Sequence, residues 1–491
     1  MNTILSEKLP PHHTPVRNSE RSKLLKTTLE SLNLSQDNPG TYPVIPGQGL
    51  GMVTSIDPAT QTPNAAVQMA DWQQIQTSIE RIEKAQRLWV KQPFSKRLSI
   101  IQEAGQAILE QSLSLTHLSL LETGKSLAEA REDVTALSGV LERMHSQATE
   151  FNPKAQPHGI INITNAFNYP IILFTSKALP ALAAGNGVLL KPNEKTALTN
   201  LASCKIISNV LAKYGFSDLL RLVVTDKQNG YQIWQHPQIK MIEAVGSIQM
   251  RDALYEATRT LDKKVLAELG GANATIVHRD ANLDKCAERL IFSLFCTNGQ
   301  RCTNTRRLYI HTDHYETLKP RLVEEYKNRI RVGDPLEQAN NVGPVFHQSA
   351  VNLFVDTIDR AQQLGGRLLI GGQVIQDNYV GPAIIEAPEL NFAPGYEETF
   401  VPITFIYPYD DLDQLIEEVN KHGRGLGAAL FTESRETFLS YSPQFDTLYS
   451  MWNYGTSGPD FYGNLGEPQL PDDDSLVYYG MDTQIFVPYL K

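Results

Sequence analysis

At 491 residues, with 41% hydrophobic and 20% charged residues, the chain has the composition of a globular protein of roughly two to four domains. A net charge of −10 argues against nucleic acid as a main partner, because phosphate binding rests on clustered Lys and Arg. No apolar stretch reaches the roughly 20 residues that cross a bilayer, and four cysteines are too few for a disulfide framework.

The N-terminal stretch "MNTILSEKLPPHHTPVRNSERSK" lacks the apolar core of a signal peptide, so a cytoplasmic setting is expected. Residues 1–48 read as a polar, Pro-rich extension. Helical patterns then run from "DWQQIQTSIERIEKAQRLWV" to "REDVTALSGVLERMHS". From "GIINIT" to "KKVLAELGG", short apolar runs alternate with amphipathic segments, the signature of a doubly wound parallel sheet. Such sheets bind ligands outside the carboxyl ends of their strands. Here those ends carry Asn168, Lys191 to Glu194, Gly246-Ser247 and Glu268 to Gly271. A second α/β stretch follows, from "ANATIVH" to "ITFIYPY". The dinucleotide fingerprint GxGxxG is absent, "GNG" at 185–187 having no third glycine in register.

The segment "FCTNGQRCTNTRRLYI" (295–310) holds two of the four cysteines. A zinc site would need further Cys or His ligands at close spacing, and neither CxxC nor HExxH occurs, so no metal is expected. Cys204 and Cys286 sit in helical patterns and read as packed thiols, as does Cys296 after the run "LIFSLF". Cys302 differs. It lies on a polar loop between a helix and a strand, beside Arg301, a setting that leaves packing and catalysis open and favours the nucleophile.

The motifs "ITNAFNYP", "LLKPNEKTALT", "AVGS", "LAELGGANATIV", "NGQRCTNTRRLYI", "YEETFVPI" and "GLGAALFT" follow the order and spacing of the aldehyde dehydrogenase superfamily. The resemblance covers about residues 70–455. It is narrowest to the antiquitin group, the α-aminoadipic semialdehyde dehydrogenases, through "GQRCT", "ETF.PI" and "TSG". "GQRCT" also marks the succinylglutamate semialdehyde dehydrogenases.

This resemblance implies a doubly wound NAD-binding domain over 49–265 with a shortened oligomerisation flap near 146–158. A catalytic α/β domain over 266–450 and an anchor-loop and oligomerisation segment over 451–491 would follow. Cys302 would be the nucleophile, Asn168 and the Cys302 N–H the oxyanion donors, and Glu268 the base that activates water. Lys191 and Glu194 would hold the adenosine ribose, the acid favouring NAD over NADP. Gly246 and Ser247 would face the pyrophosphate from a helix N-terminus. Glu398 and Phe400 would place the nicotinamide ribose and ring. Arg301 would meet a substrate carboxylate or pair with Glu122, and Ser457 and Gly458 would belong to the anchor loop.

Four departures stand out. Arg251 replaces a glycine of the family, the flap shrinks to "QATEFNPKAQPH", the C-terminal glycine-rich stretch becomes "FYGNLGEPQLPDDDSLVYYG", and Pro459 follows Gly458. The flap and C-terminal changes point to a homodimer rather than a tetramer. The expected activity is NAD-dependent oxidation of a small, carboxylated semialdehyde. The competing reading is a family member that binds NAD with altered activity. A cysteine hydrolase would need a histidine partner, and none lies near the motifs.

Overall fold

The computed structural model describes residues 18–422, 425–457 and 485–491. They fall into two units, one built from 18–269 with 485–491 and the other from 270–457. The first boundary lies after Leu269, so Glu268 closes the first unit rather than opening the second. Residues 18–48, read from the sequence as an extension, contribute a helix (Asn18–Ser31) and two short strands to the first unit.

In the first unit β1 (Asp37–Asn38), β2 (Thr41–Tyr42), β3 (Met52–Ile56) and β4 (Pro63–Gln68) precede the helical stretch. β5 (Ile160–Thr164), β6 (Gly187–Lys191), β7 (Leu220–Val223), β8 (Ile239–Gly246) and β9 (Lys264–Leu269) follow it. The six-stranded sheet has the order β2-β7-β6-β5-β8-β9, parallel except for β2. Every residue of β5, β6 and β7 is buried, which is why these strands read as continuous apolar runs. The chain leaves β5 toward β6 and returns on the other side as β8, placing a topological switch point between β5 and β8.

The helix Trp72–Trp89 opens on a capping box in which Asp71 Oδ1 accepts from the Gln74 N–H and Gln74 Oε1 accepts from the Asp71 N–H. It buries Ile75, Ile79 and Ile82 at helical spacing. The stretch near 146–158, expected from the sequence to be a shortened flap, forms a 3-10 turn (Gln147–Glu150) and a loop against which 485–491 of the same chain dock. Phe486 meets Phe94 and Phe151 edge-on at 5.4 and 5.8 Å, and Lys491 N–H donates to the Gln156 carbonyl at 2.7 Å.

The second unit carries β10 (Asn273–Val277), β11 (Thr305–His311), β12 (Arg367–Ile370), the hairpin β13 (Val374–Gln376) and β14 (Tyr379–Val380), β15 (Ala383–Glu386), β16 (Ile403–Tyr409), β17 (Gly427–Phe431) and β18 (Tyr449–Trp452). Seven strands form a sheet of order β12-β15-β16-β11-β10-β17-β18, parallel except for β12. Val351, Phe354, Ile358 and Ala361 of the helix Gln348–Gln363 join its core. The α/β, parallel-sheet architecture expected from the strand–helix alternation is the one observed.

Candidate active site

The nucleophile candidate sits at the amino edge of the second sheet. The helix Leu283–Phe295 ends at Cys296, and the chain then turns through three left-handed residues, Thr297, Asn298 and Gly299, with φ of 54°, 49° and 68°. Consecutive residues in this region are costly and persist where the surroundings fix them. A side chain at Gly299 would meet Pro402 Cα at 2.4 Å, so the turn is pressed against the backbone that follows Phe400. Cys296 is buried, its sulfur accepting from Asn304 Nδ2 at 3.1 Å, a packing role as expected. Cys204 and Cys286 are buried too, and Cys302 alone of the four is partly exposed.

Asn273, the first residue of β10, holds the Cys302 loop by its side chain. Its Nδ2 donates to the carbonyls of Cys302 (2.7 Å) and Asn304 (2.9 Å), and its Oδ1 accepts from the Gly427 N–H (3.0 Å). Thr303 Oγ1 and Ser457 Oγ lie 2.7 Å apart, and Ser457 N–H donates to Ser293 Oγ at 3.0 Å. Ser457 is thereby fastened to the residue after the thiol. Gly458 and Pro459 lie outside the described residues. Arg301 is buried, its N–H donating to Asn304 Oδ1 at 2.8 Å.

Arg306 joins two loops. Its guanidinium donates to the Val401 carbonyl at 2.6 Å and to the Gly299 carbonyl. Burial pulls it down to about 10, against the attraction of Glu398, Cys296 and Cys302. Glu398 is pushed up by burial and drawn back by Arg306, and its carboxylate lies against Gly270, where an added Cβ would be 1.6 Å from Oε1. Phe400 is left-handed at φ 53°. Arg306 thus ties the loop that carries Glu398 and Phe400, expected at the nicotinamide end, to the loop that carries Cys302.

In the first unit, the loop after β5 carries Asn168, which is buried. Its carbonyl accepts from Lys125 Nζ at 2.9 Å, and Lys125 is paired with Asp133 at 2.8 Å, both fully buried. Asp133 also accepts from the N–H groups of Ile171 and Ile172. Glu268, the penultimate residue of β9, has its side chain 37% exposed, open enough to meet water, and takes Lys177 Nζ at 2.9 Å.

Glu122 is fully buried in the first unit. Its carboxylate accepts from the N–H groups of Leu198 and Thr199 and from the Thr199 hydroxyl, at the start of the helix Ala197–Lys213. Burial pushes it up to about 7, against those hydrogen bonds. These contacts all lie within its own unit. A buried carboxylate is satisfied by the nearest donors, and a helix start offers several.

The carboxyl edge of the first sheet fits a dinucleotide. Lys191 is buried at the end of β6, drawn down by burial and held up by Glu194 and Asp226. Gly246 ends β8, and Ser247 caps the helix Ile248–Thr258, its Oγ accepting from the Met250 N–H. Ser247, Ile248 and Gln249 at the start of that helix are exposed, the end at which a helix attracts a phosphate. Arg251 is paired with Asp252 on the same helix. Among the described residues, no group of three or more His, Cys, Asp or Glu is placed to hold a metal.

Sequence reasoning passed over Lys125, Lys177, Glu243, Asn273 and Arg306. Two of them left a signal: Lys177 is a cation inside the apolar run "IILFTSKALPALA", and Glu243 an acid inside the buried strand "IKMIEAVG".

The Aldehyde dehydrogenase family profile matches residues 45–462. The chain is 30% identical over 457 residues to alpha-aminoadipic semialdehyde dehydrogenase of Mus musculus, covering 89% of this chain and 85% of that one. Lactaldehyde dehydrogenase from Escherichia coli superposes with a TM-score of 0.82 at 21% identity, over 93% of this chain and 98% of that chain. Glyceraldehyde-3-phosphate dehydrogenase from Methanocaldococcus jannaschii, complexed with NADP, gives 0.81 at 22% identity, over 89% and 97%. These two structures share the fold. Among the described residues no helix is long and apolar enough to cross a membrane.

The geometry around Arg306 yields one prediction. Arg306→Met removes the charge facing Cys302 and two donors to loop carbonyls. Alkylation of Cys302 by iodoacetamide should slow roughly 10- to 150-fold, the scale of a charge-assisted hydrogen bond. Intact-mass kinetics measure it, and an unchanged rate in a folded variant refutes the role.

Proposed function

The chain belongs to the aldehyde dehydrogenase family, and from that premise we propose that it oxidises a small carboxylated semialdehyde to the acid, with Cys302 as nucleophile and NAD as cofactor. The observation that carries this reading is Cys302 itself, a partly exposed thiol on a loop pinned by Asn273 and faced by the buried Arg306.

The Cys302 sulfur bonds to the aldehyde carbon, and the oxygen that gains charge is held by the Asn168 amide and the Cys302 N–H. Each preplaced donor contributes about 3–4 kcal/mol. The nicotinamide, when bound, supplies the acceptor for the hydride. Lys191 and Glu194 would hold its adenosine ribose, Gly246 and Ser247 its pyrophosphate, and Glu398 and Phe400 its nicotinamide end. Cys302 then carries the acyl group as a thioester. Glu268 takes a proton from the water that attacks it, the C–S bond breaks, and the acid leaves.

The preference for NAD rests on Glu194, whose carboxylate would repel a 2′-phosphate. The archaeal relative in fold is complexed with NADP, so the preference is a matter for measurement with both cofactors. The semialdehyde reading rests on the mouse relative's name and on Arg301 beside the thiol. A homodimer is the proposed assembly, because 147–158 are engaged by 485–491 of the same chain. A cytoplasmic setting agrees with four free cysteines.

Cys302→Ala should abolish NADH formation from aldehydes while NAD binding survives; activity above a few per cent would remove the assignment. Glu268→Gln should release one equivalent of NADH and then stall, a trace that stopped-flow absorbance resolves. Loss of that first equivalent in a folded variant would place Glu268 earlier in the reaction.

Arg301→Gln should lower kcat/KM for semialdehydes with a distal carboxylate roughly 10- to 150-fold and leave neutral aldehydes of equal length little changed. Equal losses would make Arg301 a packing residue. Light scattering at micromolar concentration should return twice the 54.8 kDa chain mass, and four times that mass would overturn the dimer.

A further inference from the structure

Glu243 is a carboxylate in the middle of a parallel sheet, 6% exposed, where an unpaired charge would be prohibitive. Two groups compensate it. Lys177 Nζ, from the helix Ile172–Ala183, lies 3.5 Å from Glu243 Oε1 and 2.9 Å from Glu268 Oε1. On the other side, Tyr489 Oη donates to Glu243 Oε2 at 3.0 Å. Tyr489 is buried and held by its backbone, its carbonyl accepting from Asn186 Nδ2 at 3.0 Å, while Lys264 Nζ donates to the Pro488 carbonyl at 2.6 Å. One ammonium is therefore shared by two carboxylates. One of these is the outer, water-accessible base candidate, and the other is an inner one capped by the C-terminal segment.

We propose that Tyr489 and Glu243 are positioning residues for thioester hydrolysis: Tyr489 keeps Glu243 ionised, and ionised Glu243 draws on the Lys177 ammonium so that Glu268 remains a proton acceptor. This rests on the reading of Cys302 as nucleophile and Glu268 as base. The Tyr489 hydroxyl favours the charged form of Glu243, because it donates to it. A charged Glu243 takes a share of Lys177 and sets a second negative charge near Glu268, and both effects favour protonation of Glu268. Without the hydroxyl, Glu243 accepts a proton more readily. Lys177 then serves Glu268 alone and competes with water for its carboxylate.

The charges that face this pair agree. Burial pushes Glu243 up, Lys177 pulls it back, Glu268 pushes it further, and the Tyr489 hydrogen bond lowers it. Burial alone would drag Lys177 down, but Glu268 and Glu243 overcome it and hold Lys177 above its ordinary value. Arg143, on the helix Leu137–Ser146, faces Tyr489.

The experiment uses p-nitrophenyl acetate and the full chain, with no cofactor. The Cys302 thiolate attacks the acetyl carbonyl, the C–O bond breaks and nitrophenolate leaves. After desalting, intact mass follows the decay of acetyl-Cys302 by water across pH. For Tyr489→Phe and Glu243→Gln, acetylation should proceed at the wild-type rate. Decay should be slower by up to about tenfold, with its acid limb moved to lower pH by up to about one unit. Lys177→Met should move that limb the opposite way. A limb that stays in place in both Tyr489→Phe and Glu243→Gln, or equal slowing of acetylation and decay, overturns the proposal while leaving the base reading intact. Failure of the wild type to form a Cys302 adduct overturns that reading and this proposal together.

Discussion

A cation removed from water must be answered where it stands, and this chain answers several of its buried cations with the carbonyls of loops. Lys125, neutralised by Asp133, donates to the carbonyl of Asn168. Arg306 donates to Gly299 and Val401, and Arg307 Nε donates to Ala272 at 2.8 Å. Each of these carbonyls belongs to, or lies within three residues of, a segment on which the proposed chemistry depends. Irregular backbone has few partners of its own, so a fixed cation gives it a defined position that a sheet edge alone does not.

This arrangement also explains where conformational cost is concentrated. Thr297, Asn298, Gly299 and Phe400 are all left-handed, and they lie on the two loops that Arg306 ties together. Gly299 passes so close to Pro402 that the loops share a surface with no room for a side chain. The unfavourable dihedrals of one loop are therefore held in part by its packing against the other.

The parallel sheets were legible because β5 to β8 are short apolar runs separated by amphipathic helices, a pattern set by burial on both faces. The polar, Arg-flanked loop singles out Cys302 as a candidate, whereas Asn168 and Glu268 were singled out by the family resemblance of their motifs. The partners of Glu122, Leu198 and Thr199, were not legible because they are distant in sequence, and only folding brings that helix start to it. Lys177 and Glu243 each look like a single misplaced charge in an apolar segment, and their meaning lies in the 3.5 Å between them. The destination of 485–491 was hidden for the same reason, because aromatic contacts with Phe94 and Phe151 leave no periodic trace.

That destination has a consequence for how the protein is made. Tyr489 and its neighbours complete a unit whose other residues end at 269, so they leave the ribosome after the whole second unit has been synthesised. At ordinary elongation rates this delay is about 10 to 40 s. Through that interval Glu243 lacks its hydroxyl partner, and Phe94 and Phe151 lack their third ring. A chain cut short by an early stop codon would lack the same three contacts.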